Sequence, residues 1–155
     1  MKTLSAESKV RRIHRIFQRT GGNGAWTRPF DELPAMVQAQ LLGQVALPEH
    51  ELPALACVQT SARWILLTSE RLVLRRESET LEVTWGDIEG VKLDAERANS
   101  LLALGPGGKM ALSRLTLIRR GGEPVELALE LGPAFFGFWN VLLSIAASGS
   151  PHRAP

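Results

Sequence analysis

The chain has 155 residues, a formal net charge of +2 and a sequence pI near 9.1, with 45% hydrophobic and 22% charged residues. That length holds one compact core, and that balance excludes wholesale disorder and a fibrous repeat while being too weakly basic to argue alone for nucleic acid or membrane. One cysteine, Cys57, excludes an internal disulfide and a cysteine-built zinc site, and fits a reducing cytoplasm.

The basic N-terminus leads into an amphipathic pattern and not into a continuous apolar stretch with a cleavage site, so no signal peptide is expected. The longest apolar run, Ala134 to Ala147, is shorter than the roughly 20 residues that span a bilayer and is interrupted by Asn140 and Ser144.

In residues 5–19, Val10, Ile13, Ile16 and Phe17 fall on one helical face. Between residues 9 and 19 lie Lys9, Arg11, Arg12, Arg15 and Arg19 with no acid among them, so the basic character of the chain is local. Thr20-Gly21-Gly22-Asn23-Gly24 ends this helix in a joint. Trp26 and Phe30 stand in an otherwise polar linker. A short second helix is expected over about 32–42, with Asp31 as cap, Pro34 in the first turn, Leu33, Val37 and Leu41 on one face, and Gly43 as the stop. Leu47 to Pro53, with two prolines, reads as an extended connector.

From Ala54 the texture changes to short β-prone runs divided by turn residues: about 54–60, 63–68, 71–76, 80–85, 90–94, 100–104, 111–120 and 124–131. Turn signals stand at Ser69-Glu70, Ser78-Glu79, Gly105 to Gly108 and Gly121-Gly122. After Gly132-Pro133 the period changes to that of a helix. Phe135, Phe136, Phe138, Trp139, Leu142, Leu143 and Ile145 cover about half its circumference, with Gly137, Asn140 and Ser144 opposite.

Two motifs sharpen the expectation. Leu67-Thr68-Ser69-Glu70-Arg71-Leu72-Val73-Leu74 resembles the hairpin of bacterial pleckstrin-homology-like and GRAM-like domains. Val83-Thr84-Trp85-Gly86-Asp87-Ile88-Glu89-Gly90-Val91 is similar to the strand end of the same domains. The resemblance covers about residues 50–147. It implies an α+β, mainly β fold: a PH-like antiparallel seven-stranded barrel or sandwich capped by a C-terminal α-helix, preceded here by a helical N-terminal extension. The expected division is therefore 1–49 for the extension, 50–147 for the PH-like domain and 148–155 for a frayed tail. Thr68, Arg71, Leu72, Trp85, Asp87, Ile88 and Trp139 take architectural roles. Arg71 is placed to reach carbonyls or Glu70, and Asp87 to accept backbone N–H groups in its turn.

No catalytic constellation emerges from the residues. Gly105-Pro106-Gly107-Gly108-Lys109-Met110 invites a phosphate-loop reading but lacks the glycine needed at Ala103 and the hydroxyl needed at Met110, so a strand-connecting turn is the better reading. His14, His50 and His152 are scattered, and Glu49-His50-Glu51 is their only local cluster with acids, read as a solvated loop. Cys57 sits in a predicted strand as a small buried hydrophobe. No metal, cofactor or small-molecule substrate is expected, and the chain is read as no enzyme.

Binding remains. The leading expectation is a cytoplasmic module for protein–protein interaction or self-association, one form being an adaptor or immunity-type protein that holds another protein inactive. Lys9, Arg11, Arg12, Arg15, Arg19, Trp26 and Phe30 are its candidate contacts. The alternative is a peripheral membrane protein whose residues 9–19 meet anionic headgroups. Nucleic acid is not expected, because only Phe17 supplies an aromatic to that helix. Lipid-binding members of the family line the loop after their first strand with basic residues, where this chain offers Arg63 alone. Arg75, Arg76, Arg119 and Arg120 form a basic rim at other strand ends, more simply read as a solvated edge that discourages strand pairing.

Overall fold

The computed structural model describes residues 4–93, 95–109 and 111–148. It is an α+β structure of two antiparallel sheets closed by a C-terminal helix. Helix α1 (Ala6–Thr20) starts where the Ser5 hydroxyl accepts the Ser8 N–H at 3.1 Å, satisfying one of the free donors of the first turn. Strand β1 (Thr27–Pro29) and a 3-10 turn (Phe30–Glu32) lead to α2 (Ala35–Gln44). Then come β2 (Pro53–Thr60), β3 (Arg63–Thr68), β4 (Arg71–Arg76), β5 (Glu79–Thr84) and, after a 3-10 turn at Trp85–Asp87, β6 (Ile88–Lys92). Helix α3 (Ala95–Leu102), the single turn α4 (Pro106–Lys109), β7 (Arg114–Arg119), β8 (Val125–Ala128) and α5 (Pro133–Ser148) complete the chain.

The first sheet has the order β1-β2-β3-β4-β5 and the second β6-β7-β8. The continuous apolar runs Trp64 to Leu67 and Leu72 to Leu74 make sense because both faces of the first sheet are covered. Ile65, Leu67, Leu72 and Leu74 join the main core with Leu115, Leu117 and Leu127 of the second sheet and Phe135, Phe138 and Leu142 of α5. Trp64, Leu66 and Val73 point the other way, into a second cluster with Phe30, Leu33 and Leu41. A one-residue slip in β3 or β4 would exchange these sets, so the pairs Ile65↔Leu74 and Leu67↔Leu72 are fixed from both sides.

The hairpin between β3 and β4 is built around Thr68. Its hydroxyl oxygen accepts the N–H groups of Glu70 and Arg71, both at 3.0 Å, and donates to Glu51 at 2.5 Å. Glu51, only 6% exposed, also accepts Arg71 Nε at 2.8 Å. Arg71 further reaches Glu82 at 2.6 Å and the Ala46 carbonyl at 2.8 Å, and its hydrogen bond with Glu51 is the main reason its pKa is raised above the usual arginine value. One guanidinium thus ties the connector before β2 to β4 and β5. Trp85 donates its indole N–H to the Thr68 carbonyl at 3.1 Å, which brings the two sequence motifs together at one point.

Several expectations change. Residues 100–104 are not a strand: Ala95–Leu102 is helical, as its alanines, leucines, glutamate and arginine favour when no neighbouring strand offers a partner. The second helix begins later than expected, with Pro34 at its N-cap and no side-chain cap, while Asp31 lies in the preceding 3-10 turn. Gly43 is inside that helix, which ends at Gln44 with Val45 as its C-cap. Of the two partners expected for Arg71, it reaches a carbonyl, that of Ala46, and not Glu70, its carboxylate partners being Glu51 and Glu82. Asp87 contributes its main-chain carbonyl, which accepts the Arg120 N–H at 2.9 Å; among the described residues its carboxylate makes no hydrogen bond. Strand β1 was not foreseen, because three residues are too few to show a period. No closed barrel forms among the described residues, since β2 pairs with β1 on its free side and β8 pairs with β7 alone.

Candidate functional site

The cations of α1 separate into three groups. Lys9 turns inward, 3.3 Å from the Glu70 carboxylate and 5.2 Å from the centre of the Trp85 ring, and so holds α1 to the β3–β4 turn. Arg11 points to solvent and bonds Ser8 at 3.2 Å. Arg12, Arg15 and Arg19 share one ridge and line a groove of about 580 Å³ between α1 and α5.

Glycine sets that groove. Helices α1 and α5 run antiparallel, with Phe17 against Gly137 and Arg12 beside Ser144. A Cβ at Gly137 would stand 2.7 Å from Phe17 Cδ1 and 2.9 Å from the Phe17 carbonyl oxygen, so the helices approach as closely as they do only because position 137 has no side chain. The residues expected opposite the apolar face of α5, Gly137, Asn140 and Ser144, therefore face α1. Leu143, expected to be covered, is 41% exposed and forms part of the groove with Ile16.

The polar groups of the groove are mostly satisfied. Thr20 donates to the Ile16 carbonyl at 2.7 Å, Asn140 to the Phe136 carbonyl at 2.8 Å, and Arg12 to the Ser144 hydroxyl at 3.1 Å. Among the described residues, Arg15 and Arg19 have neither a hydrogen bond nor an ion pair, and no carboxylate lines the groove. Meanwhile the apolar stripe of α1 is consumed: Ile13 and Phe17 are 2% and 0% exposed in the main core, with Val10 and Ile16 packed at its margin.

The two linker aromatics part company. Phe30 is buried in the second cluster, which α2 and the outer face of the first sheet build together, and so is spent on the fold. Trp26 remains 38% exposed, its carbonyl accepting the Val58 N–H at 2.9 Å. That segment is held by Glu130, whose carboxylate accepts the N–H groups of Ala25 and Trp26 at 2.5 and 2.8 Å and the Thr27 hydroxyl at 2.8 Å. Ile88 and Leu72 are core residues, while Trp139 packs at the core margin against Phe135.

A second recess, of about 240 Å³, opens between the ends of β2, β3 and β4 and the β7–β8 pair. Arg63, Arg75, Arg76 and Arg114 line it above Cys57 and Ile65. Arg63 is paired with Glu77 and Arg114 with Glu126, at 2.8 and 2.7 Å, whereas Arg76 Nε is buried with no hydrogen-bond partner among the described residues. Sequence reasoning found Arg63 in its loop but had no means of bringing Arg114 to it. Arg119 and Arg120 lie elsewhere, bonding the carbonyls of Glu123 and Gly86.

Burial pushes the Cys57 thiol above its ordinary pKa, so it is protonated and unreactive near neutrality. His14 bonds the Ala54 carbonyl at 2.8 Å, His50 lies in an exposed turn, and His152 is outside the described residues. Among the described residues no group of three or more histidine, cysteine, aspartate or glutamate side chains is placed to hold a metal. None of their helices is long and apolar enough to cross a membrane. Comparison with protein-family models, with curated proteins and with solved structures finds no match to this chain.

Proposed function

We propose that this chain is a non-catalytic binding module, PH-like in build, that engages a protein partner through the arginine face of α1. The PH-like part of the reading is supported by β2 to β8, four strands in one sheet and three in the other, followed directly by α5. On this reading α1, β1 and α2 are additions, docked on the domain by Phe17, Phe30 and Leu41.

The observation that carries the binding surface is the pair Arg15 and Arg19, two guanidinium groups without a partner among the described residues, beside the exposed Leu143. The structure argues against α1 lying in a bilayer, because the stripe it would insert is already in the protein core. Three arginines near an anionic surface would contribute only about 3 kcal/mol. An acidic protein surface offers directional, charge-assisted bonds and an apolar contact in addition. Binding of polyglutamate, and of phosphatidylserine vesicles, to the full chain and to Arg15→Glu/Arg19→Glu tests this. Polyglutamate binding lost in the double variant supports the reading, and binding to vesicles alone refutes it.

A second reading rests on Arg76. Its Nε, buried and without a partner among the described residues, in an arginine-lined recess fits the anionic head of a small ligand or lipid, independently of α1. Titration with inorganic phosphate and inositol phosphates, read at Arg76 by NMR and repeated on Arg76→Gln, tests it; an unchanged spectrum refutes it.

A further inference from the structure

Resting on the reading that the α1 face binds a partner, we infer that the partner's contact element is an acidic amphipathic helix. It lies in the α1–α5 groove as a third helix, with two glutamates one turn apart facing Arg15 and Arg19 and an apolar side chain seated on Leu143. The groove itself imposes this form. Its walls are two helices whose backbone groups are bonded within each helix, so an extended peptide finds no main-chain partners there, as it would at a sheet edge. A helix brings its backbone already satisfied and contacts the groove through side chains alone.

The spacing follows from the same surface. Arg15 and Arg19 are four residues apart on α1, about 6 Å along its axis. Glutamates at i and i+4 of a facing helix match that separation, and a residue at i+3 or i+7 lies on the same face between or beside them. The hydroxyl of Thr20 and the amide of Asn140 already donate to main-chain carbonyls, so the guanidinium groups are the groove's principal free donors. The exposed floor, Leu143 with the edge of Ile16, takes one apolar residue. Ridge-into-groove packing then sets the third helix along the seam. Nucleic acid fits poorly, because among the described residues no aromatic ring on which a base can stack lines the groove.

Fluorescence anisotropy with four probes on the full chain tests the inference. The first is a stapled helix with glutamate at i and i+4 and leucine at i+3. The second is a stapled helix of the same composition with its glutamates on opposite faces. The others are polyglutamate and phosphatidylserine vesicles. The first helix is expected to bind about tenfold or more tightly than the second, to weaken at least about tenfold on Arg15→Glu/Arg19→Glu, and to weaken on Leu143→Ser. Both variants alter exposed side chains, and an unchanged Tm establishes that their folds persist. If both helices and polyglutamate bind alike and all are lost in the double variant, the helical form is wrong while the binding face stands. If no acidic peptide binds, if binding ignores the double variant, or if only vesicles bind, both fall.

Discussion

Replacing Gly137 by alanine separates a helix that is packed at this position from one that is merely solvated. Alanine in a helix interior is favoured over glycine by about 1 kcal/mol, so at an open position the change stabilises. Here the new methyl carbon would lie 2.7 Å from the Phe17 ring and 2.9 Å from its carbonyl oxygen, against an ordinary contact of 3.4–4 Å. Phe17 is fully buried and cannot swing aside, so α1 and α5 must part. Overpacking of this kind costs about 1–3 kcal/mol. Taking the middle of that range and subtracting the propensity gain leaves a net loss of about 1 kcal/mol, or about 2–4 °C in Tm for a chain of this length. Gly43→Ala is the internal control. It is also helical, but nothing lies within 4 Å of its added carbon, so it should raise Tm slightly. Thermal unfolding of the two variants beside the parent decides the matter. If Gly137→Ala also raised Tm, Phe17 would not pack there and the α1–α5 groove would not exist.

Three further outcomes follow from the contacts. Glu51→Ala strands Arg71 Nε and leaves the Thr68 hydroxyl only its longer bond to the Arg71 carbonyl, and should cost about 2–4 kcal/mol in urea unfolding; a loss below about 0.5 kcal/mol would show that Arg71 is held well enough by Glu82 and Ala46. Glu130→Ala removes the acceptor for Ala25 and Trp26, and hydrogen exchange at those two amides should quicken by about tenfold while the α5 amides stay protected. Cys57 keeps its proton in the folded state at a pH where the unfolded chain loses it, so stability is undiminished below the ordinary thiol pKa of 9.0 and falls as pH rises above it. Cys57→Ala should flatten that fall, and a parent chain already insensitive to pH over the same range would contradict the burial of the thiol.

Much of the strand succession could be read from the sequence because each run alternates or breaks on a local signal. Thr68-Ser69-Glu70-Arg71 is a turn whose own side chain closes it, and Gly132-Pro133 marks a helix start. Leu101 and Leu102 read as strand only within the short window 100–104, and the helix shows when Ala95–Leu102 is taken as a unit. What else escaped was set by distant partners. Thr27 to Pro29 become a strand because the edge of β2 accepts them. Among the candidate contacts, the clustering of Arg12, Arg15 and Arg19 was visible as helical spacing. The inward turn of Lys9 depends on Glu70, 61 residues away, and the burial of Phe30 on the outer face of a sheet not yet made. Gly137 carried an ambiguous signal: a glycine facing away from an aromatic stripe can mean solvent or a second helix, and periodicity alone treats them alike.

The measurement that bears most directly on the central claim is an amide-resolved NMR titration of the full chain with polyglutamate. Shifts confined to Arg12–Thr20 and Asn140–Ser144, abolished by Arg15→Glu/Arg19→Glu, are the predicted result. Shifts centred on Arg63, Arg76 and Arg114, or on neither group of arginines, would contradict the claim that the α1 face is where this protein binds.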